Sequence, residues 1–219
     1  MGFRQRFKRN QVEEAVIATL KVDPDADGPG LRIRMKRLFD ADRELIAGQR
    51  GSGAVRYAFY SADAPGSGVE VWFSPYEAFA VLIALRILAH GWPQSTVVRI
   101  MRRVRKDLEN EHRRIMEQDA GRLFEQEALR REARTGLVVT DSTDPVFLAI
   151  TAAESLSRRE PKRGLKGFAV CRGRDQLMDF ILKDMPVGMV TTSLELSSAA
   201  HRLAANLGQT QPSRRGRAG

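Results

Sequence analysis

Cysteine is almost absent: Cys171 stands alone in 219 residues, so the chain can form no intrachain disulfide and no zinc cluster built from cysteines. Histidine is nearly as scarce. His90 falls at the expected end of a helix, where it meets the helix C-terminus, and His112 and His201 have no second ligand in register, so no metal set is expected. Long apolar runs are missing too, because Arg86 interrupts the longest candidate, and no membrane span is expected. The first residues, Met-Gly-Phe-Arg-Gln-Arg-Phe-Lys-Arg, have no apolar core behind their charges, unlike a secretory signal. A cytoplasmic protein is the resulting expectation.

Signatures of catalysis are equally thin. The triplets Gly51-Ser52-Gly53 and Gly66-Ser67-Gly68 lack the glycine spacing and the following Lys-Ser or Lys-Thr of a phosphate loop, and read as turns. Asp23, Asp25 and Asp27 alternate as in a calcium loop, but Arg34, a cation, stands where that loop needs its last glutamate. Asp141 and Asp144 flank Ser142 and Thr143 where α/β proteins place ligand loops, and they are also ordinary turn formers. Cys171 lies near Arg172 and Arg174, which would favour a thiolate, although a lone strand cysteine is usually a small buried hydrophobe. The expectation is a non-enzymatic protein without cofactor or metal.

Positive charge is what the chain has in excess. Residues 1–106 hold 18 basic and 11 acidic groups (+7), residues 107–160 hold 8 and 12 (−4), and residues 161–219 hold 10 and 4 (+6). A basic N-terminal module is the electrostatic footprint of a polyanion partner, most often nucleic acid. The alternative is a merely solvated basic surface.

The chain is organised around Phe73 to Lys106. Ser74 caps a helix, Pro75 presets its first turn and Glu77 completes a capping box. From Ala78 to Leu88 only Arg86 is charged, so this helix forms core rather than lying on it. Gly91 stops it. After Pro93 a second helix carries an apolar stripe of Val97, Ile100, Met101, Val104 and Leu108, with Arg99, Arg102, Arg103, Arg105 and Lys106 crowding the rest.

Upstream, Phe7 to Leu20 has helical spacing of Val12, Val16, Ile17 and Leu20, with Asn10 as the cap. Lys21 to Gly30 is a loop of turn formers. Leu31 to Phe39 is a short helix with Leu31, Met35, Leu38 and Phe39 beneath and Arg32, Lys36, Arg37 and Ile33 on its other faces. Val55 to Tyr60 and Gly68 to Phe73 alternate like the two strands of a hairpin.

That order, short helix, basic helix, strand pair, Ser-Pro-Tyr-Glu capped helix, Gly turn and helix, resembles the MerR-like winged helix-turn-helix regulators. The resemblance covers about residues 7–106 and is carried by Phe73-Ser74-Pro75-Tyr76-Glu77, Leu85, Leu88, Gly91 and Ile100. The aromatic pair followed by Glu that usually ends the family's recognition helix is missing after Arg32, and the first loop is longer and more acidic. The resemblance implies a dimeric regulator of double-stranded DNA. Arg32, Lys36 and Arg37 would enter or border the major groove, Arg56 would touch phosphates, and Arg34, Arg99, Arg102, Arg103 and Lys106 are further candidate contacts.

Beyond Pro93 the helix either runs to about Arg134 or breaks near Asp119-Ala120-Gly121; Glu111 and Gln118 spoil a clean coiled-coil seam. A second unit begins near Gly136. Leu137–Thr140 reads as a strand, Asp141–Pro145 as a turn, Val146–Ile150 as a strand or helix start and Arg158–Gly167 as a basic loop. Phe168–Cys171 reads as a strand, Asp175–Lys183 as a helix, Met189–Thr192 as a strand and Leu196–Leu207 as a helix. The expected class is α+β, mainly helical: a winged helix-turn-helix at 1–106, a helical, dimerising connector at 107–135, a small α/β domain at 136–208, and a disordered basic tail at 209–219. A protein-binding adaptor or assembly factor with the same module is the alternative function, and the C-terminal unit is a candidate surface for a protein partner.

Overall fold

The computed structural model describes residues 5–47, 57–61, 70–118, 145–155, 162–183 and 189–212. Arg56, the strand expected at 137–140 and the Asp141–Asp144 turn therefore lie outside the described residues, as do most of the connector and residues 213–219. The described elements run β1 (Phe7–Lys8), α1 (Arg9–Leu20), α2 (Gly28–Ala47), β2 (Trp72–Phe73), α3 (Pro75–Ala89) and α4 (Gln94–Glu117), then β3 (Val146–Ser155), β4 (Lys162–Arg172), α5 (Gly173–Leu182), β5 (Met189–Glu195) and α6 (Ser197–Gln209). The class is α+β and mainly helical. Two compact units divide it, one of residues 1–106 with 202–219 and one of residues 107–201. No helix among the described residues is long and apolar enough to cross a membrane.

In the first unit α3 is the core. Ser74 Oγ accepts the Glu77 N–H at 3.2 Å, and a Glu77 carboxylate oxygen accepts the Ser74 N–H at 2.7 Å, which closes the capping box. Gly91, at φ 80°, takes the left-handed conformation that ends the helix. Between these signals Ala78 to Leu85 and Ile87 are buried, and each large apolar side chain so buried contributes about 1.5–3 kcal/mol. Around α3 lie Val12, Val16 and Ile17 of α1, Leu31, Met35, Leu38 and Phe39 of α2, and Val97, Ile100, Met101 and Val104 of α4, all buried.

Local punctuation explains α1 and α2. Lys8, not Asn10, occupies the cap of α1, because Gln11 Oε1 reaches back to accept the Lys8 N–H at 3.0 Å. Lys21 ends α1 at φ 54°, a left-handed position usually given to glycine. Asp23 then accepts N–H bonds from Asp25 at 2.9 Å and Ala26 at 3.1 Å, and those two bonds hold its carboxyl below its ordinary range. Helix α2 starts at Gly28 with Pro29 in its first turn and runs to Ala47, eight residues past the expected end at Phe39.

The strand pairing differs from the expected hairpin. Trp72 and Phe73 pair antiparallel with Lys8 and Phe7, while Tyr57 to Ser61 forms bends outside any strand. The period-2 pattern at 57–60 comes from an aromatic cluster: the Phe39 ring lies 5.8 Å from Phe59, 5.6 Å from Tyr60 and 5.6 Å from Phe73. Burial there pushes the Tyr60 hydroxyl up to about 12. The end of α6 also belongs to this unit. Gln11 Nε2 donates to the Thr210 carbonyl at 3.2 Å and Asn206 Nδ2 to Thr19 Oγ1 at 2.9 Å, so residues 209 to 210, expected in the tail, are ordered.

The second unit is a three-stranded antiparallel sheet in the order β4-β3-β5, with α5 against β3 and β4. The alternation of strand and helix therefore encodes an antiparallel α+β unit rather than a parallel one, with α5 crossing between the two outer strands. Residues 162–167, expected as loop, are the first half of β4; Lys, Arg and Gly are what an edge strand carries to discourage further pairing. Val146, Leu148, Ile150 and Ala152 are fully buried along one face of β3, as are Leu108 and Ile115 of α4. On the other face Gly167 lets α5 approach: an added Cβ would lie 3.3 Å from Thr151 Oγ1 and 3.5 Å from the Phe180 ring. Helix α4 stops at Glu117, before the Asp119-Ala120-Gly121 break point.

A candidate nucleic-acid interface on the first unit

On α2 the apolar positions turn inward and the cations outward, as their spacing requires. Arg32, Arg34, Lys36 and Arg37 are exposed, and Ile33 stands among them at 52% exposure. Arg32 Nε lies 3.6 Å from Glu13 Oε2 of α1, a loose exposed pair of little energetic weight. Arg34, Lys36 and Arg37 have no ion-pair partner among the described residues. The Arg37 carbonyl accepts from Gln94 Nε2 at 2.8 Å, which pins the start of α4 beside the middle of α2.

Helix α4 shows two kinds of arginine. Arg99, Arg103 and Lys106, at i, i+4 and i+7, form an exposed stripe. Arg99 is steadied by its own helix, through 3.4 Å contacts to the Ser95 carbonyl and Thr96 Oγ1. Arg102 turns the other way. Its Nε donates to Asp42 Oδ1 at 2.7 Å and another of its nitrogens donates to the Asp42 carbonyl. The structure thus removes Arg102 from the candidate DNA contacts and makes it an internal tie between α2 and α4. Asp42 is completely buried, which pushes its carboxyl up; Arg102 and the N–H groups of Phe59, at 3.2 Å, and Ala58, at 2.8 Å, work against that shift.

Arg105 completes the frame, and sequence reasoning left it among the surface charges. It is buried, donates to the carbonyls of Tyr57 and Tyr60, the latter at 2.8 Å, and reaches Ser61 Oγ at 3.2 Å. The guanidinium also lies 5.5 Å from the Tyr76 ring centre, and the Tyr76 hydroxyl donates to the Arg105 carbonyl at 3.2 Å. A signal was present: Arg105 sits four residues after Met101 and three before Leu108, within the buried stripe. Asp42 and Arg105 together clamp residues 57–61, the segment that follows candidate Arg56.

A second feature had no sequence signal. Trp72 is 41% exposed beside β1, where Lys8 Nζ stacks 5.3 Å from its ring and pairs with Glu70 at 2.7 Å. Pairing of Lys8 with Trp72 and Phe7 with Phe73, 64 and 66 positions apart, is what brings them together. Cys171 is buried, and burial pushes its thiol up, away from reactivity.

Seven of the candidate contacts, Arg32, Arg34, Lys36, Arg37, Arg99, Arg103 and Lys106, are thus exposed on two helices tied to each other by polar contacts. Comparison with protein-family models gives no match, and a search of curated proteins gives none either.

Proposed function

We propose that this chain is a DNA-binding transcriptional regulator of MerR-like winged-helix type, acting as a homodimer by binding rather than catalysis. In this reading α1 and α2 form the helix-turn-helix pair. Helix α2 enters the major groove, whose width of about 12 Å admits one helix. Arg32, Arg34, Lys36 and Arg37 meet base edges and flanking phosphates, and Ile33 is placed for a thymine methyl. Arg99, Arg103 and Lys106 follow the phosphate backbone, and Arg56, which precedes the clamped segment in sequence, joins them.

One observation carries the reading: the cations point outward from helices whose mutual position is locked by Asp42, Arg102 and Gln94. A merely solvated surface has no need of such a frame, whereas groove recognition needs its contacting side chains held in fixed register. The departures from the family pattern after Arg32 bear on which bases are read, not on the electrostatic attraction.

The test is a fluorescence-anisotropy salt titration against random duplex DNA, with heparin as polyanion control and selection of genomic fragments alongside. A steep salt slope with an enriched sequence is the expected result, since each phosphate contact releases counterions. Folded protein that binds no duplex at low salt would discard the reading and leave the protein-binding adaptor in its place.

A further inference from the structure

The two outer strands of the second unit's sheet are unlike. β4 carries Lys162, Arg163, Lys166 and Arg172, two glycines and a bulge opposite Thr151 and Ala152. These are the devices by which edge strands refuse further pairing. β5, Met-Val-Thr-Thr-Ser-Leu-Glu, has no Lys, Arg, Pro or Gly, and its only charge is at its last residue. Its far edge has no strand partner among the described residues.

That edge can pair with itself. The Leu196 N–H donates to the Val146 carbonyl at 2.8 Å, so Leu196 turns its backbone groups to β3. Alternation then turns those of Leu194 and Thr192 to β3 as well, and those of Thr191 and Ser193 outward. A two-fold axis through Thr192 sets Thr191 opposite Ser193 of a second copy, and Val190 opposite its Leu194. The outward N–H and C=O groups of Thr191 and Ser193 then meet their counterparts as hydrogen-bonded pairs, with polar residues matched on one face and apolar on the other. The side chains agree with this match. Thr191 Oγ1 is buried with no hydrogen-bond partner among the described residues, and Ser193 is exposed. A turn of Thr191 about χ1 brings its hydroxyl toward the opposing serine.

We propose that β5 is a homodimerisation edge: two copies join antiparallel across Thr192 into a continuous six-stranded sheet. The contact is isologous and closes, so it yields a dimer and no filament. It deepens the dimeric part of the proposed function and rests on that part alone. It is tested without DNA, so its failure and the failure of the DNA reading are separable.

The experiment measures solution mass by light scattering and sedimentation. Wild-type full chain should run at twice the chain mass. Thr191→Lys/Ser193→Lys places like charges opposite each other and should run as a monomer, and Thr191→Glu/Ser193→Glu should do the same. Mixed in equal amounts, the two variants should recover the dimer, which misfolded variants could not do. Should both variants unfold, amide exchange in the wild type decides: Thr191 and Ser193 should gain protection as protein concentration rises. A wild type that stays monomeric at high concentration, dimers that survive in both charge variants, or protection independent of concentration would overturn the proposal.

Discussion

Two faces of one helix divide the ionisable residues of α4 by what they do. Inward lie Arg102, Arg105, Glu111 and His112, each buried or bonded within its own unit; outward lie Arg99, Arg103 and Lys106, presented to solvent. Arg102 and Arg103 are adjacent in sequence, yet one is part of the interior and the other is available to a ligand. Charge density along a basic helix therefore overstates its binding capacity. Helix phase relative to the buried stripe is what sorts structural from functional cations.

The inward face depends most on Asp42. Asp42→Ala removes the acceptor of Arg102 and of two backbone N–H groups, and breaking such a buried arrangement should cost about 3–5 kcal/mol. Urea unfolding followed by circular dichroism measures it, and Arg102→Ala should come close to the same loss.

Next in size is the inward histidine. Burial, with a smaller contribution from His201, lowers His112 from 6.5 to about 4. Between those values the unfolded chain holds a proton that the folded unit refuses. Stability from the neutral ring is therefore complete above pH 6.5 and is lost as pH falls toward 4. Denaturant midpoints at pH 7 and pH 4.5 should differ by about 2–3 kcal/mol in stability, and His112→Gln should flatten most of that difference. Glu111 reinforces the trend at the acid end. Burial opposes its ionisation, but hydrogen bonds from Arg172, with Nε at 2.8 Å, and from Arg114, at 3.0 Å, hold its carboxyl below the ordinary range.

A smaller effect belongs to the cap of α3, which holds none of the exposed cations of the stripe. Ser74→Ala should cost about 1 kcal/mol in stability and leave DNA affinity per folded molecule unchanged. The smallest effect on folding should come from the outward face itself. Arg99→Ala/Arg103→Ala/Lys106→Ala should change stability by less than about 0.5 kcal/mol for each residue. The same triple variant should weaken duplex binding about a hundredfold at physiological salt and reduce the salt slope by roughly 3.

Legibility followed the range of the interactions. The capping box of α3, its glycine stop, the buried stripe of α4 and the two faces of α2 could be read directly, because each is set by residues within two turns of one another. The β1–β2 pairing could not, since its partners lie 64 and 66 positions apart and each strand has two residues. Lys162–Gly167 read as loop because the residues that protect an edge strand are also loop formers. Within the candidate site the exposed α2 cations were legible from periodicity. The inward turn of Arg102 was not, because its partner Asp42 lies at the far end of a helix that was expected to end at Phe39.

The most direct test of the central claim is the salt dependence of duplex DNA binding by Arg34→Ala/Arg37→Ala, beside that of the wild type. Both arginines are exposed and outside every ion pair among the described residues. A folded double variant whose affinity falls at all salt concentrations, with a salt slope shallower by roughly 2, is the predicted result. A folded double variant with unchanged affinity and slope would contradict the assignment of α2 as the DNA-contacting helix.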